Sequence, residues 1–128
     1  MENKKKILIV DDEVDMLELF TLRLKANNFE VATAVDGEDA LRKFAQENPD
    51  AILLDIMMPG IDGIDVLRRI RKESPNIPIF MITAFSNEER FKLANIFNAS
   101  GFILKTDDLQ SQIESINNAI DMVRKYKK

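Results

Sequence analysis

Residues 7–17 read ILIVDDEVDML. Four apolar residues run into two adjacent carboxylates, Asp11 and Asp12, and the pattern then turns helical. An unbroken apolar run of this length suits a strand buried on both faces, as in a parallel sheet covered by helices. Negative charge crowded at its tip is costly, because neighbouring carboxylates disfavour each other's ionisation unless something positive stands between them. The stretch therefore raises two expectations: a doubly covered sheet, and a cation or a basic partner at its carboxyl edge.

Similar runs recur along the chain. KILIV at 6–10, FEVATA at 29–34, AILLD at 51–55, PIFMI at 78–82 and GFIL at 101–104 are the expected strands, separated by longer pieces with helical spacing. In 107–125, Leu109, Ile113, Ile116, Ile120 and Val123 step by four and three along one stripe. In 13–27, Val14, Leu17, Phe20 and Leu24 do the same. Ser86 with Glu89 forms a capping box, and Asp107 with Gln110 a weaker analogue. Asp36-Gly37 turns into the second helix, where Glu38 and Asp39 suit the positive end of the dipole. The third helix, about 62–73, follows Pro59-Gly60 and stops before Pro75.

No linker or repeat interrupts these five βα units, so a single domain over 1–128 is expected. Right-handed crossovers leave few topologies. The expected fold is α/β and doubly wound, a flavodoxin-like (βα)5 arrangement: a five-stranded parallel sheet of order 2-1-3-4-5 with helices on both faces. Ligands of such sheets bind beyond the carboxyl ends of the strands, where strands 1 and 3 flank the switch point.

Composition narrows the chemistry. The chain has no Cys and no His, which excludes disulfides, thiolate metal sites, cysteine nucleophiles and a histidine base of its own. Its net charge is −4, from 18 basic and 22 acidic residues, so no direct nucleic-acid partner is expected. The basic clusters at 4–6 and 124–128 read as solvated termini. No apolar run approaches the roughly 18 residues of a membrane span. No signal peptide precedes the first strand, so a cytoplasmic protein without membrane insertion is expected.

Polar residues fall at the strand ends: Asp11 and Asp12 after strand 1, Asp55 ending strand 3, Thr83 after strand 4 and Lys105 after strand 5. Taken singly, each has an ordinary reading: an N-cap, a loop cap, a packed β-branched residue, a solvated lysine. Their joint spacing, one carboxyl end after another, places them on one rim. Three converging carboxylates without His or Cys suit a hard, oxygen-seeking ion such as Mg²⁺, while Lys105 and Thr83 equip the same crevice for a phosphoryl group.

With ILIVDDE, AILLDIMMPGIDG, IFMITA and GFILK in place, the chain from Lys6 to about Arg124 resembles the receiver domain of bacterial two-component response regulators. The resemblance implies that Asp55 accepts a phosphoryl group from a sensor histidine kinase or a histidine phosphotransfer protein. It implies Mg²⁺ held by Asp12, Asp55 and the backbone carbonyl of Met57, with Asp11 acting mainly through a water. Lys105 would pair with the phosphoryl group and Thr83 would hydrogen-bond it. Phe102 would then turn inward and switch the surface of helix 4, strand 5 and helix 5 toward a downstream protein target. Such a domain is a phosphoacceptor rather than an enzyme, catalysing only its own phosphorylation and slow dephosphorylation. It is either stand-alone, of chemotaxis or phosphorelay type, or part of a longer regulator.

Where the family usually has Lys-Pro with a cis peptide, this chain has Lys105-Thr106. A non-proline cis bond costs roughly 3–4 kcal/mol, so a trans bond and a somewhat different loop are expected. The positions that tune phosphoryl lifetime in the family would be Met57 and Phe85, neither able to orient water, which implies slow self-dephosphorylation. Helix 4 carries Phe91, Leu93, Ile96 and Phe97, consistent either with a broadly buried helix or with a docking face. A haloacid dehalogenase-type phosphohydrolase would place an Asp where Met57 stands. A flavodoxin needs a Ser/Thr/Gly-rich phosphate loop in place of DDEVD. A pseudo-receiver that never takes a phosphoryl group is the remaining alternative, and the intact Asp11, Asp12, Asp55, Thr83 and Lys105 argue against it.

Overall fold

Strand β1 (Lys6–Val10) is paired in parallel with β2 (Glu30–Ala34) on one side and β3 (Ala51–Asp55) on the other. Then come β4 (Ile79–Thr83) and β5 (Gly101–Leu104), also parallel, giving the order β2-β1-β3-β4-β5. The computed structural model describes residues 4–84, 88–105 and 108–126, and of Tyr126 the backbone only. Five helices alternate with the strands: α1 (Val14–Ala26), α2 (Gly37–Glu47), α3 (Gly63–Glu73), α4 (Glu88–Ile96) and α5 (Ile113–Tyr126).

Side-chain alternation sorts the core into two layers. Leu8, Val10, Ile52, Leu54, Ile79 and Met81 face α2, α3 and α4. Their neighbours Ile7, Ile9, Leu53, Phe80 and Ile82 face α1 and α5. All five residues of β3 and of β4 are buried, which is why these segments read as unbroken apolar runs. The edges differ: β2 carries an exposed first residue and three half-buried ones, and β5 ends exposed at Leu104. An edge strand needs apolar cover over less of its surface, so FEVATA can afford Glu30 and Thr33.

Local signals explain most boundaries. Asp36 caps α2 by accepting from Asp39 N–H at 2.8 Å, and Asp62 caps α3 by accepting from Asp65 N–H at 3.1 Å. Asn48, in the left-handed region at φ 49°, ends α2. The buried stripe of α1 is Leu17, Phe20 and Leu24. Val14, expected to belong to it, is 58% exposed, because in the first turn it lies off the face that meets the sheet.

Leu109, Ile113, Ile116 and Ile120 are buried as expected, and Val123 is half-buried. That segment opens as a 3-10 turn, Leu109–Gln112, capped by Asp108, whose carboxylate accepts from Gln110 N–H at 3.0 Å. Ser86, Asp107, Phe85 and the 105–106 peptide bond lie outside the described residues, so the expectations placed on them do too. Among the described residues no helix is long and apolar enough to cross a membrane.

Candidate functional site

The parallel order brings the ends of β1, β3, β4 and β5 to one rim, and every strand-end residue singled out from the sequence is there. Asp11 continues past β1 with its N–H on Ala34 O at 3.1 Å, and its side chain is fully buried. Its Oδ1 accepts from Glu13 N–H at 2.9 Å, turning the chain into α1. Asp12, one residue on, points into solvent. Asp55 is the last residue of β3 and is buried, its Oδ1 accepting from Met57 N–H at 3.2 Å. The side chain of Met57 is half exposed at the mouth. Thr83 closes β4, buried, and its carbonyl accepts from Lys105 N–H at 2.7 Å, which fixes where the lysine leaves β5.

Lys105 crosses the crevice. Its Nζ lies 3.0 Å from Asp11 Oδ2 and 3.3 Å from Asp55 Oδ2, and it also bonds Glu13 Oε1. Asp11 Oδ2, though close to this ammonium, accepts no hydrogen bond among the described residues. Paired by charge but not by a hydrogen bond, this buried oxygen keeps acceptor capacity, and it shares the ammonium with Asp55. Oxygens of Asp11, Asp12 and Asp55 lie within 4.8 Å of one another. Around an octahedral Mg²⁺ with bonds of about 2.1 Å, ligand oxygens sit roughly 3–4.2 Å apart, so small side-chain adjustments suffice. The all-oxygen donor set and the unsatisfied acceptor fit a hard divalent ion, and the three residues could hold one.

The electrostatics agree. Burial, and next the field of Asp11, push the Asp55 carboxyl up to about 7, and Lys105 and the Met57 N–H pull it back only in part. Burial works against the charge of Lys105, but hydrogen bonds to Glu13 and Asp11 and the fields of Asp55 and Asp11 outweigh it and raise its pKa. The site as it stands holds more negative charge than one ammonium compensates.

Three contributions were not singled out from the sequence. Glu13, directly after the acid pair, is a third acceptor for Lys105. Gly63 donates its N–H to Ile56 O at 2.9 Å and lets α3 come so close that a Cβ there would lie 2.0 Å from Asp55 O. Asp62 bonds Arg90, tying the loop after β3 to α4. The glycine and the acid both lie in the GIDG motif, but only their partners' positions reveal what they do. Phe102, on β5, is half-buried with its ring against Phe91 of α4. On α4, Ala94 alone of Glu88–Ile96 is fully buried and Ile96 is 67% exposed, so the helix is not broadly buried.

Fold and rim together define a receiver-type α/β domain. A CheY-like response regulator receiver domain protein from Methanospirillum hungatei superposes with a TM-score of 0.91 at 27% identity, covering 96% of this chain and 98% of that one. The receiver domain of NtrX from Brucella abortus gives 0.83 at 33% identity, covering 90% and 98%. The chain belongs to the response regulator receiver domain family, which matches residues 7–117. Among curated relatives, "Probable transcriptional regulator ycf27" of Cyanophora paradoxa is 40% identical over 117 residues, 89% of this chain and 48% of that protein. "Alkaline phosphatase synthesis transcriptional regulatory protein PhoP" of Bacillus subtilis is 45% identical over 84 residues, 66% of this chain and 35% of that protein. The chain thus spans about half or less of these relatives.

Proposed function

We propose that Asp55 is the phosphoacceptor of a two-component signalling step, taking its phosphoryl group from a sensor histidine kinase or a histidine phosphotransfer protein. The observation that carries this reading is the placement of Asp55: buried at the strand end, 3.3 Å from Lys105 Nζ, and sharing ligand space with Asp11 and Asp12. An Asp55 oxygen attacks phosphorus in line, the P–N bond to the donor imidazole breaks, and its electron pair stays on the imidazole nitrogen. The donor brings the histidine, so a chain without His suffices. Asp11, Asp12, Asp55 and the carbonyl of Met57 would hold Mg²⁺, which would supply charge neutralisation at the phosphoryl oxygens. Lys105 exchanges its contact with Asp55 for a phosphoryl oxygen, and Thr83, at the end of β4, donates its hydroxyl to another.

This is a local charge event biasing a two-state element. Thr83 moves toward the phosphoryl group, Phe102 moves inward, and the α4-β5-α5 surface changes for a downstream protein target. The domain acts as a signalling acceptor in the cytoplasm and not as an enzyme with turnover on a separate substrate. Mg²⁺-dependent labelling by acetyl phosphate, read by intact mass, tests this. The expected result is one added phosphoryl group in the wild type and none in Asp55→Asn. Absence of labelling even from a phosphohistidine donor overturns it in favour of a pseudo-receiver.

A further inference from the structure

We infer that Glu13 is a positioning residue for Lys105, offering the ammonium a third acceptor at the rim besides the Asp11 and Asp55 oxygens that a divalent ion needs. Glu13 occupies the N-cap position of α1 with extended φ and ψ of −92° and 109°, yet its side chain makes no capping hydrogen bond. Its own N–H is taken by Asp11 Oδ1. The carboxylate instead reaches Lys105 Nζ. Glutamate is not among the residues that favour this capping position, and its carboxylate, not engaged by the helix end, has the site lysine as its partner.

The arrangement is a competition for one ammonium. Lys105 has three N–H donors and faces three carboxylates, Asp11, Asp55 and Glu13. Two of these are ligand candidates, buried; the third is on the rim, its side chain 59% exposed against 10% for Lys105. Whatever hold the ammonium keeps on Asp11 and Asp55 must be given up before an ion takes the same oxygens. Glu13 provides an acceptor that the ion does not use, so the lysine can yield those oxygens and stay within reach of the crevice. The residue after the lysine is Thr106, so the backbone restriction that a proline imposes on its predecessor is missing and side-chain contacts must do more of the anchoring.

The inference rests on the divalent-ion reading above, and the test separates the two. Mg²⁺ affinity is measured by titration calorimetry for wild type, Glu13→Gln, Lys105→Met and the double variant. The NMR signal of the Lys105 ammonium is recorded for the first two without metal. Glu13→Gln is expected to weaken Mg²⁺ binding roughly three- to fivefold, the size of a partly exposed charge contact, and to shift the ammonium signal. In the Lys105→Met background the same change should have no effect. Equal weakening in both backgrounds would mean that Glu13 acts by its own charge, and no weakening in either would mean that it does not act; both overturn the inference. If the wild type takes up no Mg²⁺, the ion reading fails first. An ammonium signal unmoved by Glu13→Gln then removes the contact itself, and a moved signal leaves the contact but removes its role in ion competition.

Discussion

The rings of Phe91 on α4 and Phe102 on β5 sit with centroids 4.7 Å apart and planes tilted by 54°. A tilted pair at this distance contributes about 0.5–1.5 kcal/mol beyond the area it buries, and it joins α4 to the strand that leads into Lys105. Phe102→Ala is expected to lower unfolding free energy by about 1–2 kcal/mol, less than for a fully buried ring. It should also move amide shifts along α4. With a phosphoryl mimic bound, the wild type should show shifts at Phe91, Leu93 and Ile96. Silence there would remove α4 from the switching surface.

Asp62 and Arg90 form the second tie to α4. Burial alone would raise the Asp62 carboxyl, but the hydrogen bond from Arg90, the Asp65 N–H and the guanidinium charge hold it below the usual range. A depressed acid adds stability that is present above the unfolded pKa and is lost as pH falls through the folded one. Arg90→Ala should therefore cost about 0.5–1 kcal/mol near pH 7, and the difference should vanish in acid. Urea titrations of both proteins at neutral pH and near pH 3 check this; a cost that persists in acid would assign Arg90 a packing role instead.

Asp55 has the opposite sign. Its carboxyl is raised from 3.8 to about 7, so between those values the folded protein holds a proton that the unfolded chain has released. Stability then falls as pH rises through that window. Asp55→Asn removes the titration, and without divalent ions it should be more stable than wild type at pH 8, on the order of 2 kcal/mol, with no difference at pH 4. Mg²⁺ should close much of the gap by stabilising the wild type alone. A variant no more stable than wild type at pH 8 would show that Lys105 already neutralises the acceptor.

These cases also show what the residue string can and cannot disclose. β1, β3 and β4 were legible because burial on both faces forces continuous apolar runs, and Asp11, Asp55, Thr83 and Lys105 because each follows such a run. Periodicity could not tell that Val14 faces outward, since an apolar residue in a first turn counts toward a stripe wherever the helix axis points. Nor could it separate the two readings of α4, whose apolar residues are spread around the helix. Asp62 and Arg90 stand 28 positions apart, and Glu13 and Lys105 stand 92 apart. Nothing local marks either pair. The 3-10 opening before α5, where Asp108 caps Gln110 N–H, is not marked by the stripe, since one tighter turn leaves Leu109 and Ile113 four positions apart.

Gly63 offers the most direct test of how the site is built. A methyl group at this position would meet Asp55 O at 2.0 Å and the Ile56 Cα at 2.9 Å, both backbone atoms that no rotamer change can move aside. Either α3 withdraws or the strand end carrying the acceptor shifts. Overpacking of this kind costs typically 1–3 kcal/mol, and Gly63→Ala is expected at or above the top of that range despite alanine's better helix propensity. The loss should be larger in the site than in the fold. Because Asp55 must keep its place beside Asp11 and Asp12, Mg²⁺ affinity and the rate of labelling by acetyl phosphate should fall together at a temperature where the variant is still folded. Loss of stability with both site measurements intact would show that α3 gives way and that the position of Asp55 is set by β3 alone.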